Sequence, residues 1–499
     1  MMNRRQFLSR SASLGALGLS SGAALANSDT LRRFHAALAA DPSVQVYADV
    51  AGDQAGAATV LGRIPRELNG VLFRNGPGRF ELGGERCHHW FDGDGFAQRW
   101  QIRDGQVSHL GKFVQTRRFV EESAAGQFLY PSFGTSVSRS ALDNNDTMNS
   151  ANTNLLPLDG HLYALWEGGS ATEVDPATLA TIGTKTWRED LKSMPFSAHP
   201  KMDPDGGLWN FGTIPGADLL AVYRLDARGQ LMNTATIQVP KLAMVHDFVV
   251  SARHLIFLIP PYDLLPDTTL SFAERHVWAG AGPQGRALRA VVVDKNTLQL
   301  RQVFELPARM VFHFGNAFDD GQTTRFDAVL HDGDMLGELG GLMRGQRPPR
   351  DASRSALTQI TLDYASGQAR EARLFGDSEF PRVAPQAVSR RHRRLVVAGL
   401  LDSGVDRMLN SVNLVDVDSG KADGYAFGAG WQVEEHVLVP RRHARSETDG
   451  YLVGVAQDLR RGQTVLTVFD AARVAAGPLA LARLPYRAPH CFHGNFLPA

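Results

Sequence analysis

Four of the 16 histidines in this 499-residue chain stand apart by what surrounds them. Ser197-Ala198-His199-Pro200, Val245-His246-Asp247-Phe248, Phe312-His313-Phe314 and Phe492-His493-Gly494 each set an imidazole among small or apolar residues, near a strand end or turn. Imidazole is a suitable ligand for iron, zinc, copper or nickel. The successive spacings are 47, 67 and 180 residues, too long for a local metal motif carried on one helix. The four can serve one ion only if the elements that bear them point at a common axis. No Ser-His-Asp arrangement or phosphate loop stands out to compete.

A propeller supplies such an axis. Val71-Leu72-Phe73, Leu155-Leu156, Leu162–Leu165, Leu255–Ile259, Ala290–Val293, Leu395–Ala398 and Thr464–Phe469 are apolar or β-branched runs bounded by Gly, Pro, Asp or Asn, which reads as short strands. Asp-Gly pairs at 92, 94, 104, 159, 205, 320, 332, 423 and 449 are hairpin-turn signals, because tight hairpin turns need positive φ. Short strands running from about residue 45 to the end predict an all-β fold, a propeller whose inner strands face one axis. No repeat of the WD40 or kelch kind is visible, so this pattern leaves the blade number open. Helical pattern is confined to Thr30–Ala40 and to loop segments such as Ser271–Val277.

Composition narrows the partners. Lys+Arg and Asp+Glu both number 52, so no basic field points to nucleic acid. No segment approaches the roughly 20 apolar residues of a membrane span. The two cysteines, Cys87 and Cys491, sit at opposite ends of the chain, and two unlinked thiols are expected. Asn3-Arg4-Arg5-Gln6-Phe7-Leu8 followed by an apolar stretch and Ala24-Leu25-Ala26 reads as a twin-arginine leader over residues 1–26. This predicts export to the periplasm and a single mature domain over residues 27–499. The leader carries Arg4, Arg5 and Arg10 and no acid, leaving 49 basic and 52 acidic residues. Folded export suits a cofactor inserted beforehand.

Several motifs occur in a fixed order: Gly70–Gly78 (GVLFRNGPG), His89–Gly95 (HWFDGDG), Asn152-Thr153-Asn154, Ala164–Gly169 (ALWEGG), Glu379-Phe380-Pro381-Arg382, Glu435–Arg441 (EHVLVPR) and Cys491-Phe492-His493-Gly494. With the four histidine contexts, they resemble the carotenoid cleavage oxygenases, a family that includes lignostilbene dioxygenases and retinoid isomerohydrolases. The resemblance runs from about residue 60 to 499. It implies a seven-bladed propeller with a helical and loop cap over the metal face. It also implies one Fe(II) bound by His199, His246, His313 and His493, and three glutamates behind the ligands, at Glu167, Glu379 and Glu435. A carboxylate there accepts the second ring N–H of a ligand, fixes the tautomer and increases basicity. Glu434 precedes Glu435, so a shift of one residue stays open. Thr153 matches a position where the family sets a methyl group near the open metal site, a steric gate. The Arg74–Gly78 and His89–Gly95 motifs read as structural: Gly76, Gly78, Gly93 and Gly95 suit tight turns, and His89 is a structural histidine.

The activity this resemblance implies is cleavage of a C=C bond in an apolar small molecule with O2, giving carbonyl products. Stilbene cleavers bind a phenol through a tyrosine and a lysine. His109 falls at the expected tyrosine, and Phe128–Thr135 contains no lysine, so a carotenoid or apocarotenoid is the expected substrate. The alternatives are stilbene cleavage, non-oxidative isomerisation and binding of an apolar ligand. Pro260–Ala273 is apolar and Pro-rich, as suits either a peripheral membrane contact or a buried loop between blades.

Overall fold

The computed structural model describes residues 22–346, 354–401 and 408–499. The Arg4-Arg5 motif and most of the 1–26 leader lie outside them; the backbone of residues 22–26 opens the helix Gly22–Ala40. Seven antiparallel sheets of four or five strands form the blades, and two small two-stranded ribbons are inserted between strands of two of them. The innermost strands are Asn154–Leu158, Lys201–Met202, Val249–Val250, Met310–Asp320, Ser378–Val383, Trp431–Pro440 and His493–Pro498. All seven apolar runs read from the sequence fall in strands.

The run Leu255–Ile259 explains why such strands are apolar on both faces. Leu255, Phe257 and Ile259 pack with Trp209, Phe211 and Val222 of the preceding blade, while Ile256 and Leu258 pack with Phe314, Phe326 and Ala328 of the following one. Alternate side chains point to opposite faces, and each face meets a neighbouring sheet. Each such buried Leu, Ile, Val or Phe contributes about 1.5–3 kcal/mol by leaving water.

The ring closes by joining the two ends of the chain. Gly70–Arg79 pairs with His493–Pro498, placing Asn75 opposite His493. Thr59–Gly62 pairs with Ala480–Arg483 in the neighbouring blade. Cys87 and Cys491 are both buried free thiols.

Two readings need correction. Gly76, Gly78 and Gly95 lie in strands, and Gly93 has φ −64°. They are required by close approach: a Cβ on Gly76 would lie 2.5 Å from Cys491 Cα, and one on Gly95 2.2 Å from the Ala151 carbonyl oxygen. Of the Asp-Gly pairs, those at 104, 159, 205 and 320 turn between paired strands. Those at 94 and 423 run inside strands, the one at 92 closes a 3-10 turn, the one at 332 leads into a helix and the one at 449 opens a strand.

The cap consists of the 3-10 turn Trp90–Asp92, the helices Phe272–Arg275 and Met335–Met343, and the ribbon Tyr262–Leu264 with His276–Trp278. His89 pins it. Its Nδ1 accepts from Phe91 N–H at 3.1 Å, and its Nε2 donates to the Leu336 carbonyl at 3.2 Å, tying the turn to the longer helix. No helix among the described residues is long and apolar enough to cross a membrane.

Candidate metal centre

The four histidines converge on the axis. His199 and His246 stand in the loops that lead into the short inner strands Lys201–Met202 and Val249–Val250, His313 lies within Met310–Asp320, and His493 opens the last strand. All are 4–8% exposed. Their Nε2 atoms form a chain of contacts: His199 to His246 at 2.9 Å, His246 to His313 at 3.2 Å and His313 to His493 at 3.0 Å. All four candidate ligand atoms lie within 4.8 Å of one another.

β-Bulges aim several of these groups. The register slips between Val311 and Phe314, around His313; between Glu379 and Arg382; and between Val433 and His436, where Glu434 and Glu435 sit. A bulge inserts a residue that bends the strand and re-aims its side chains. Phe380, in the second bulge, adopts φ 58°, a left-handed conformation uncommon for a bulky residue.

Behind the ligands stand carboxylates. His313 Nδ1 donates to Glu379 at 2.5 Å, and His493 Nδ1 donates to Glu435 at 3.0 Å. Glu167, just past the strand His161–Leu165, forms a close ion-pair contact with His246 Nδ1. His199 Nδ1 lies 3.9 Å from Asp247. Of the adjacent pair, Glu435 bonds the histidine. Glu434 instead accepts from Arg74 at 2.9 Å and Gln457 at 2.7 Å.

Burial alone would raise the carboxyl pKa of both Glu379 and Glu435. His313 beside the first, and Arg382 with His493 beside the second, hold them well below the usual carboxylate range. Burial pushes His493 down to about 3 against the pull of Glu435, and drives His199 well below the ordinary histidine value. At His246 burial pulls the same way, but the Glu167 carboxylate together with the charges of Asp247 and Glu379 outweighs it and the pKa rises.

The set fits a cation. A carboxylate can only accept, so a ring bonded to one through Nδ1 carries its proton there and turns a bare lone pair inward at Nε2. Such lone pairs, crowded together away from water, repel unless a positive centre lies between them. Two nitrogens each about 2.1 Å from a shared ion, at right angles, stand about 3 Å apart, which matches the observed contacts.

Several participants escaped the sequence reading. Asp247 accepts from Phe248 N–H at 2.7 Å, Phe314 N–H at 3.0 Å and Lys201 Nζ at 3.1 Å, so one carboxylate ties together the segments bearing three of the histidines. Its signal was an aspartate directly following His246 inside an apolar run. Arg74 is buried between Glu434 and Glu435. Asn154 donates to the Ala198 carbonyl at 2.8 Å and accepts from Asn495 at 3.2 Å, linking the His199 loop to the His493 strand. Thr153 precedes it, buried, with its hydroxyl donating to Asn152 at 2.9 Å.

An aromatic roof covers the histidines. Phe91 stacks on His246, 6.0 Å between centroids, and touches Phe133, Phe312 and Phe492. Phe133 therefore belongs to this roof. His109 does not: it packs inside the first blade against Trp100 and Tyr486, bonded to Gln98 and the Tyr486 hydroxyl. Its identity therefore carries no information about phenol binding.

The profile of the family described as retinal pigment epithelial membrane protein matches residues 47–498. Apocarotenoid-15,15'-oxygenase of Synechocystis sp. is 30% identical over 459 residues, covering 88% of this chain and 92% of that protein. Lignostilbene-alpha,beta-dioxygenase isozyme III of Sphingomonas paucimobilis is 29% identical over 477 residues, covering 88% and 93%. The crystal structure of cobalt-substituted Synechocystis apocarotenoid oxygenase matches with a TM-score of 0.81 at 27% identity, over 92% of this chain and 99% of that one. With seven blades around four converging imidazoles, and with relatives of this kind along nearly its whole length, the chain belongs to the carotenoid cleavage oxygenases, and its relatives named above are oxygenase enzymes.

Proposed function

We propose that His199, His246, His313 and His493 hold one Fe(II), and that the enzyme cleaves a C=C bond of a carotenoid or apocarotenoid with O2 to give two carbonyl products. The observation that carries this reading is the inward crowding of four Nε2 atoms with Glu167, Glu379 and Glu435 behind three of the rings. The four imidazoles would hold the iron, which would supply O2 activation beside the alkene. The protein's part is positioning and exclusion of water. Phe91, Phe133, Phe312 and Phe492 offer apolar walls that suit a substrate with few polar groups. The side-chain hydroxyl of Thr153 is tied to Asn152, which leaves its methyl group as the proposed steric gate. No side chain need act as general acid or base.

A phenolic stilbene is the second reading. It is favoured by the position of His109 inside the blade, which removes one of the arguments against it, and by the lignostilbene dioxygenase relative. Metal analysis of anaerobically purified protein, with mass spectrometry of products from a carotenoid, apocarotenoid and stilbene panel, separates the readings. Stoichiometric iron and cleavage of the polyenes alone are expected. Zinc in its place, or cleavage of the stilbene alone, overturns the respective half.

Two further proposals concern location. Leu265 and Val277 are exposed on the cap ribbon, 37% and 45%, and form the proposed peripheral membrane contact through which an apolar substrate arrives. Export by the twin-arginine route to the periplasm is proposed from the residue 1–26 pattern.

A further inference from the structure

The three glutamates differ in what holds their outer oxygens. Glu435 is pinned by Arg74 at 3.0 Å, Arg382 at 3.2 Å and Gly494 N–H at 2.9 Å, so cations offset its charge. Glu167 is 30% exposed. Glu379, 14% exposed, has no arginine or lysine bonded to it among the described residues. Its Oε2 accepts from His313 Nδ1 and from Phe380 N–H at 2.7 Å, while its Oε1 meets a further histidine, His331 Nε2, at 2.9 Å.

His331 ends the strand Thr323–His331, paired on one side with Met310 and on the other with Ser355, and is 1% exposed. Glu379 can only accept, so His331 carries a proton on Nε2. Its Nδ1 is buried without a partner.

We propose that His331 is a positioning residue for the metal centre: its Nε2–H holds one oxygen of the Glu379 carboxylate, so that the other is fixed toward His313 Nδ1. This inference rests on the four-histidine metal reading above and deepens it.

Amide isosteres test it. A glutamine at 331 sets its amide nitrogen where Nε2 stood, and an asparagine sets its own where Nδ1 stood. Fe(II) and Co(II) affinity would be measured by anaerobic competition with a chelating dye for the wild type, His331→Gln, His331→Asn and His331→Phe. The His313 Nδ1 proton would be followed by NMR in metal-free, 15N-histidine-labelled protein. His331→Asn and His331→Phe should bind metal about tenfold more weakly, the scale of losing a partner behind a ligand. His331→Gln should stay within about threefold of the wild type. The Nδ1 resonance should move upfield in the Asn and Phe variants and hold in Gln. Equal affinities and resonances across all folded variants would overturn the proposal, as would a Gln variant as weak as Asn. If the wild type binds no metal, the metal reading fails by itself, and the resonance of the metal-free protein still decides whether His331 positions Glu379.

Discussion

Replacing Glu379 with Gln changes charge with almost no change of shape, so its effect can be worked out from the contacts. The amide oxygen goes to the side of His313 Nδ1 and Phe380 N–H, where two donors need an acceptor. The amide nitrogen then faces His331 Nε2. Two donors would collide unless His331 moves its proton to Nδ1, which has no partner. That buried, unpaired N–H costs about 1–3 kcal/mol, offset in part because a buried charge has been removed. The His313 bond falls from charge-assisted to neutral, a loss of about 1–1.5 kcal/mol, or roughly tenfold in affinity. Fe(II) affinity should therefore drop about tenfold by chelator competition, with the unfolding midpoint lowered by less than about 3 °C. Glu379→Ala removes the acceptor from both rings and should lose more on both counts. An isosteric variant that folds and binds iron as tightly as the wild type would refute the role given to the carboxylate.

Asp247→Asn keeps one acceptor for Phe248 or Phe314 but turns an amide N–H₂ toward the other backbone N–H. It should destabilise by about 2–4 kcal/mol in denaturant titration and weaken metal retention, whereas a surface Asp→Asn control should do neither. Acid should unfold the metal-free protein early. Burial holds His89, His276, His436 and His490 near 4, below an unfolded value of about 6.5. As pH falls through 6.5 the unfolded chain takes up protons that the fold refuses, so this stability is present above 6.5 and is lost between 6.5 and 4. Chemical denaturation across that window should show the fall, and His490→Phe should flatten its slope by about one proton. Replacing Arg4 and Arg5 with Lys should leave the protein in the cytoplasm with its leader attached, read by fractionation; export in cells lacking the twin-arginine translocase would end that proposal.

What could be read from the sequence was local. The four histidine contexts, the apolar strand runs and the ordered motifs are each written within ten residues, and the structure brings those histidines together. Their convergence is not written in spacing. It depends on the closure that sets Asn75 opposite His493, nearly the whole chain apart, and on bulges that only a partner strand reveals. Gly76 and Gly95 look like turn residues because glycine serves turns as well as close contacts. The tertiary neighbours Cys491 and Ala151 decide which. His109 was misplaced for the same reason: its surroundings are Trp100 and Tyr486, and the latter lies 377 residues away. Asp247, Arg74 and His331 are polar residues inside apolar strands or loops. Their types announce burial with a partner, but the partners come from other blades.

Oxidative cleavage by this enzyme is decided by where the product oxygens originate. Turnover of an apocarotenoid under ¹⁸O2, with rapid trapping of the aldehydes before they exchange with water, measures this directly. Label in at least one product carbonyl, and no turnover when O2 is withheld, is the predicted result. Anaerobic turnover, or carbonyl oxygen drawn only from water after correction for exchange, would contradict oxidative cleavage and move the chain to an isomerase or hydrolytic reading.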